Sequence, residues 1–210
     1  MKNIKIYIVA LASLGIFSCN DEFLDTVPKT QINDANFWNT TADLQIYNNQ
    51  LYGVYFASEG FTGGGIMTED LNSDNAYAEI PSNVRLGINT ANNPGNSNWS
   101  WALIRDINQM LENSAAADIE DEAKNPYIAE ARLIRALDYY DKLKLYGQLP
   151  IIDRVLTEDD ELLYATQSPR DEVMAFIKTD LDFAVEWMAN TAPENRFTKV
   201  IAQAYKARIM

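Results

Sequence analysis

The sequence predicts a mainly α-helical protein built from antiparallel helix pairs. Apolar residues recur at the helical period in five separate stretches. Capping and stop residues flank several of these stretches, and glycine- and asparagine-rich punctuation gathers in one long connection between the first two. The chain has 210 residues, 47% of them hydrophobic, which is enough to build a core.

The first element is a leader. Lys2 and Lys5 open it, residues 6–17 are apolar, and Ser18 precedes Cys19, the one cysteine of the chain. A basic start, an apolar stretch and a small residue before a cleavage point make a secretory signal. A cysteine directly after that small residue resembles a bacterial lipobox, which implies cleavage before Cys19 and a diacylglycerol on its thiol. Phe17 departs from the small residue usual at its position. The acidic Asp21 and Glu22 just beyond resemble the surface-export signal of Bacteroidota lipoproteins. Export without lipid, and a membrane span, are the alternatives. The apolar run is shorter than the roughly 20 residues a span requires.

Residues 20–39 read as an extended tether, with Phe23, Leu24, Val27, Phe37 and Trp38 able to pack on the body. Thr40 and Asp43 form a predicted capping box ahead of a helix over 42–57, with Leu44, Tyr47, Leu51 and Val54 on its buried face. Residues 58–98 hold Gly63-Gly64-Gly65, Pro81, Gly87 and Asn93-Pro94-Gly95. A connection this long is more often functional than idle. The glycine triplet lacks the Gly-Lys-Ser/Thr that would make it a phosphate loop. A second helix is predicted over 97–117, with Trp101, Ile104, Asn108 and Leu111 on one face.

The third helix, over 126–146, has the clearest stripe: Ala129, Leu133, Ala136, Tyr140 and Leu143, with Leu137 beside it. Gly147 and Pro150 end it. Arg132 and Arg135 read as helix-surface partners of Glu130 and Asp138. Ser168 is the predicted cap of a fourth helix with Pro169 at its first position, burying Val173, Ile177, Leu181, Ala184 and Met188. A fifth helix starts near Thr198, where Ala202, Ala204 and Ala207 would permit close contact. It still runs at Met210, so the chain is expected to be the N-terminal part of something longer.

Composition excludes several function classes. With Cys19 consumed by lipid, no thiol is left for a disulfide. There is no histidine, which removes the commonest general base and metal ligand. A net charge of −13 repels phosphate backbones and anionic membrane surfaces, so nucleic acid is excluded as a partner and membrane attachment falls to the lipid. The acidic runs at 118–122 and 159–161 read as solvated charge. No EF-hand spacing is present, and no metal or other cofactor is expected, although a calcium ion in an acidic loop stays open.

A family resemblance joins these pieces. Cys19-Asn20-Asp21-Glu22-Phe23-Leu24-Asp25 and the run 28–38 resemble the start of mature SusD/RagB-type lipoproteins. The stretch 131–140 is similar to that family's Arg-x-x-Arg-Ala-x-x-Tyr helix, and 145–153 to its Leu-Tyr-Gly-x-(Val/Leu)-Pro segment. Residues 169–181 and 196–208 resemble its next two helices. The resemblance implies tetratricopeptide-like helix pairs with irregular loops that carry the ligand site. It divides the chain into a leader (1–18), a lipidated tether and docking segment (19–39), and the N-terminal helical region of a longer protein (40–210). It also implies a non-enzymatic outer-membrane lipoprotein at the cell surface. Such a protein captures a nutrient, a glycan or in some cases a peptide, and hands it to a SusC-like TonB-dependent transporter.

Sugar recognition requires aromatic faces for the ring and polar groups for each hydroxyl. Asn72, Asp74, Asn75, Tyr77 and Arg85 supply this mixture, and the family's Asp-containing motif falls on Ser73-Asp74. Only Tyr77 stands where starch-binding relatives place tryptophans, which argues against starch. Trp99 is the other candidate platform, whereas Trp101 shares the period of Ile104 and reads as core. A solvated, turn-rich loop is the plainer reading of the same residues. A helical adaptor that binds only protein is the rival function. A glycosidase would require a placed carboxylate pair that the sequence does not offer.

Overall fold

A 26-residue helix, Asp121–Tyr146, is the axis on which the other elements pack. The structure, a computed structural model, describes residues 37–56, 86–88, 99–193 and 195–210. Trp38–Met210 forms one compact unit. Among the described residues there are five α-helices: α1 (Thr41–Tyr55), α2 (Ala102–Ala116), α3 (Asp121–Tyr146), α4 (Arg170–Trp187) and α5 (Lys199–Ile209). A 3-10 turn, Glu161–Tyr164, lies between α3 and α4. The leader, Cys19, the tether up to residue 36 and the candidate ligand residues Asn72, Asp74, Asn75, Tyr77 and Arg85 lie outside the described residues.

Contacts fix the helix directions. Arg132, Arg135 and Tyr139 of α3 meet Phe183, Asp180 and Phe176 of α4, so the two run antiparallel. Asn108 of α2 meets Arg135, and Trp101, just before α2, meets Tyr139, which makes α2 antiparallel to α3. Lys199 and Lys206 at the start and end of α5 reach Ala189 and Asp182, so α5 returns along α4. Helix α1 runs parallel to α3: Asn48 donates to the Tyr127 carbonyl, and further along both helices the Tyr55 hydroxyl donates to Asp141. The antiparallel pairs expected from the helical periods are the observed architecture.

Local chemistry accounts for most boundaries. Thr40 and Asp43 form the expected capping box on α1: the Asp43 amide donates to Thr40 Oγ1, and the Thr40 amide donates to Asp43 Oδ2. Gly147 ends α3 at φ 76°, the left-handed conformation glycine adopts without cost, and its amide donates to the Leu143 carbonyl. Leu44, Ile104, Leu133, Ile177 and Leu181 are wholly buried. Trp38, at φ 46°, is also buried, with its ring 4.8 Å from that of Tyr47.

Several expectations require correction. Helix α2 begins at Ala102, not at 97, and Trp101 is its uncapped N-cap. Helix α3 begins at Asp121, five residues before Pro126. Asp121 and Glu122 thus occupy its first turn, where acidic groups meet the positive end of the helix dipole. Pro169, not Ser168, is the N-cap of α4; Ser168 instead donates its amide to the Leu149 carbonyl. Val54 is exposed, as are Ala204 and Ala207 of α5, so of the three alanines only Ala202 packs. Asp160 is structural rather than merely solvated: its carboxylate caps Leu162 and pairs with Arg154.

Arg132 and Arg135 are not surface partners of Glu130 and Asp138. Arg135 is buried and holds Asp180 with two bonds, Nε to Oδ2 at 2.7 Å and Nη2 to Oδ1 at 2.8 Å. Arg132 lies 4.2 Å over the Phe183 ring and 3.8 Å from the same carboxylate. Glu130 pairs instead with Arg196 at 2.6 Å, and Asp138 with Lys142 at 2.6 Å.

These buried pairs set a pH dependence. Burial pushes the Glu130 carboxyl above its usual range, with Arg196 offsetting only part of the effect. Burial does the same to Asp138 against Lys142. An acid whose folded pKa is raised contributes stability that is present below its unfolded pKa and lost as pH rises through the folded one. Asp182, held low by Lys178 and Lys206, acts oppositely: its contribution is lost as pH falls below the ordinary carboxylate range. Urea midpoints taken over about pH 4 to 8 should therefore decline from mildly acidic toward neutral pH, and Glu130→Gln should flatten the decline. A midpoint rising steadily to neutrality would contradict this.

Candidate functional site

The chain between α3 and α4 builds one wall of an open cavity. The bridge between Leu149 and Ser168 pins the two ends of this segment together. Three side chains then hold its first part against the helices. Asn108 Nδ2 donates to the carbonyls of Ile152 and Arg154, both at 3.0 Å. The Ile152 amide donates to the Tyr139 hydroxyl at 2.8 Å, and the Val155 amide donates to Glu112 at 2.7 Å. Burial, the dominant influence on the Tyr139 phenol, raises its pKa, so it stays a neutral hydroxyl.

The cavity is about 740 Å³. One side is formed by Trp99, Trp101, Ala102 and Arg105 at the start of α2. Facing them are Pro150, Ile152, Arg154 and Leu156, with Thr157, Glu158, Leu162, Leu163, Ala165 and Gln167 completing the lining. Trp99 is 40% exposed and sits edge-on to Trp101 at 5.3 Å and to Tyr146 at 4.7 Å. Those two ring contacts limit its rotation and leave aromatic surface open. Trp101 is half-buried, edge-on to Tyr139 at 5.7 Å, with the Lys142 ammonium 5.7 Å from its ring. Arg154 is held by Asp160, whose carboxyl is kept low first by the Leu162 amide and then by Arg154.

Of the residues expected to bind ligand, Trp99 is the one in the described part of the chain, and it lines this cavity. Trp101, expected in the core, lines it as well. Sequence reasoning missed Arg105, Thr157, Glu158 and Gln167. The pairing of two tryptophans in Trp99-Ser100-Trp101 was the available signal, and it was obscured when the second was assigned to a helix stripe. Chemically the lining offers aromatic faces for an apolar ring surface and a few polar groups for hydroxyls. Glu158 is the single carboxylate among the described lining residues. Among the described residues no group of three or more metal-ligating side chains converges. No helix among them is long and apolar enough to cross a membrane.

The family model for SusD-like proteins, described as starch-binding associating with outer membrane, matches residues 22–210. The chain belongs to this SusD-like family. It is similar to SusD-like protein P2 of Formosa agariphila, 29% identical over all of this chain and 43% of that protein. The chain thus spans less than half of that relative's length. Among solved structures it resembles a SusD-like protein from Bacteroides fragilis (TM-score 0.68, 24% identity, 88% of this chain and 37% of that one). It also resembles a laminarin-binding SusD-like protein (TM-score 0.68, 17% identity, 81% of this chain and 40% of that one). These likenesses establish the SusD-like helical fold.

Proposed function

We propose that this SusD-like chain captures an oligosaccharide without altering it and delivers it to a partner TonB-dependent, SusC-like transporter in the outer membrane. The observation that carries the glycan reading is the open cavity with Trp99 and Trp101 on one side and Arg105, Glu158 and Gln167 among its polar groups. An aromatic face covers the apolar side of a sugar ring, and convergent polar groups pair its hydroxyls. Asp74, Asn75, Tyr77, Asn72 and Arg85 complete the site in this reading. Family membership and the laminarin-binding neighbour support a carbohydrate over a peptide. Cys19 carries the lipid that holds the protein at the cell surface. Residues 1–18 are the removed leader, 19–39 the tether, and 40–210 the N-terminal helical region.

Calorimetric titration of the full chain with a panel of neutral oligosaccharides, laminarin fragments among them, tests the reading. Binding of one glycan class with the ligand recovered intact is the expected result. Cleavage of the ligand would make the protein a hydrolase. Silence across glycans alongside capture of a protein would favour the helical adaptor.

A further inference from the structure

We infer that Asn108, aimed by the Arg135–Asp180 pair, is a positioning residue that holds the cavity wall in its open, ligand-ready shape. The inference rests on the cavity being the glycan site, but its core concerns the wall itself. Asn108 is wholly buried, and both ends of its amide are engaged. Its Oδ1 accepts from Arg135 Nη1 at 2.7 Å, while its Nδ2 donates to Ile152 O and Arg154 O. A guanidinium only donates, so Arg135 forces the oxygen of Asn108 toward itself and the NH₂ toward the wall. Asp180 in turn fixes the plane of the guanidinium through two bonds. The relay runs from α4 through α3 and α2 into a segment with no helix or strand of its own at 150–157.

That segment supplies Pro150, Ile152, Arg154 and Leu156 to the lining. The two carbonyls gripped by Asn108 belong to Ile152 and Arg154, both lining residues. A preformed wall spares the ligand the cost of ordering it on binding.

The discriminating variant is Asn108→Asp. It retains an acceptor for Arg135 but loses both donors to the wall. Amide hydrogen exchange on the full chain, read at Ile152 and Val155 against the amides of α3 and α4, provides the measurement. We expect exchange in the wall to accelerate about tenfold or more while the helices keep their protection. Tyr139→Phe, which removes only the hydroxyl that accepts from Ile152, is expected to do the same in part. Asn108→Ser, which also gives up the two amide bonds to the wall, decides the matter if the aspartate variant does not fold. Unchanged wall exchange in a folded Asn108→Asp, or in Asn108→Ser should the first not fold, overturns the inference. The same proteins are titrated with the laminarin fragments. Weaker binding by the variants links the wall to recognition. Loosened walls with no binding even by the parent leave the positioning role standing and reject the glycan reading.

Discussion

Replacing Asp180 with alanine is expected to lower folding stability by about 3–5 kcal/mol, the largest stability effect of any single substitution considered for this chain. Asp180 is 1% exposed and is the shared carboxylate of two guanidinium groups. Removing it strands the buried Arg135, whose one remaining hydrogen-bond partner among the described residues is Asn108 at 2.7 Å. Arg132 suffers too: burial already depresses its pKa, Asp180 is the charge that compensates, and its Nε has no hydrogen-bond acceptor among the described residues. A loss of this size is a large part of the 5–15 kcal/mol typical of a folded domain. Urea denaturation followed by circular dichroism measures it. The paired change Arg135→Met with Asp180→Leu should sit closer to the parent than Asp180→Ala, because a buried ion pair replaced whole leaves no orphaned charge. A cost below about 1 kcal/mol for Asp180→Ala would mean that water reaches Arg135 in solution.

The second large effect falls on binding. Trp99→Ala should weaken oligosaccharide affinity by about 2 kcal/mol, roughly 30-fold, as expected for an aromatic anchor at the centre of a recognition site. Stability should change little, because Trp99 is 40% exposed and lies outside the helices. Trp99→Phe should recover part of the loss, since a smaller ring still covers a sugar face. The partition between affinity and stability is the informative readout. Calorimetry on folded Trp99→Ala that gives the parent's affinity would move the site away from this cavity.

What was legible in the chain follows from how far each signal reaches. The stripes of α3 and α4 are local, and Leu133, Leu137, Leu143, Ile177 and Leu181 are buried as their spacing requires. The Thr40–Asp43 box is equally local. The partners of Arg135 lie 27 and 45 residues away, so no periodicity links them. A charged residue beside Glu130 and Asp138 reads as a surface pair until the fold brings Asp180 across. The start of α3 was obscured by Pro126, which reads as a first-turn residue but stands at the sixth position. Only one backbone bond is lost there, the one its nitrogen would give to Glu122, and Glu122 is exposed, within reach of water. Trp101 illustrates the opposite error: a residue can keep the period of a helix without belonging to it. Of the candidate site, Trp99 was legible from its chemistry, whereas the opposite wall was not, because irregular backbone held by Asn108, Tyr139 and Glu112 has no repeat to read.

The attachment of α1 bears on how such a protein can diversify. Among the ties that fasten this helix to distant parts of the chain are Asn48 to Tyr127, Tyr55 to Asp141, Asn49 to Arg196, and Tyr52 to the Phe197 amide. Their sequence separations are 79, 86, 147 and 145 residues. None of them lies in the connection that leads from α1 to α2. The ends of that connection are thus anchored independently of it, and doubling the length of a flexible loop costs about 0.6 kcal/mol. Variation in the length of that connection need not move α1, whose ties lie elsewhere in the chain.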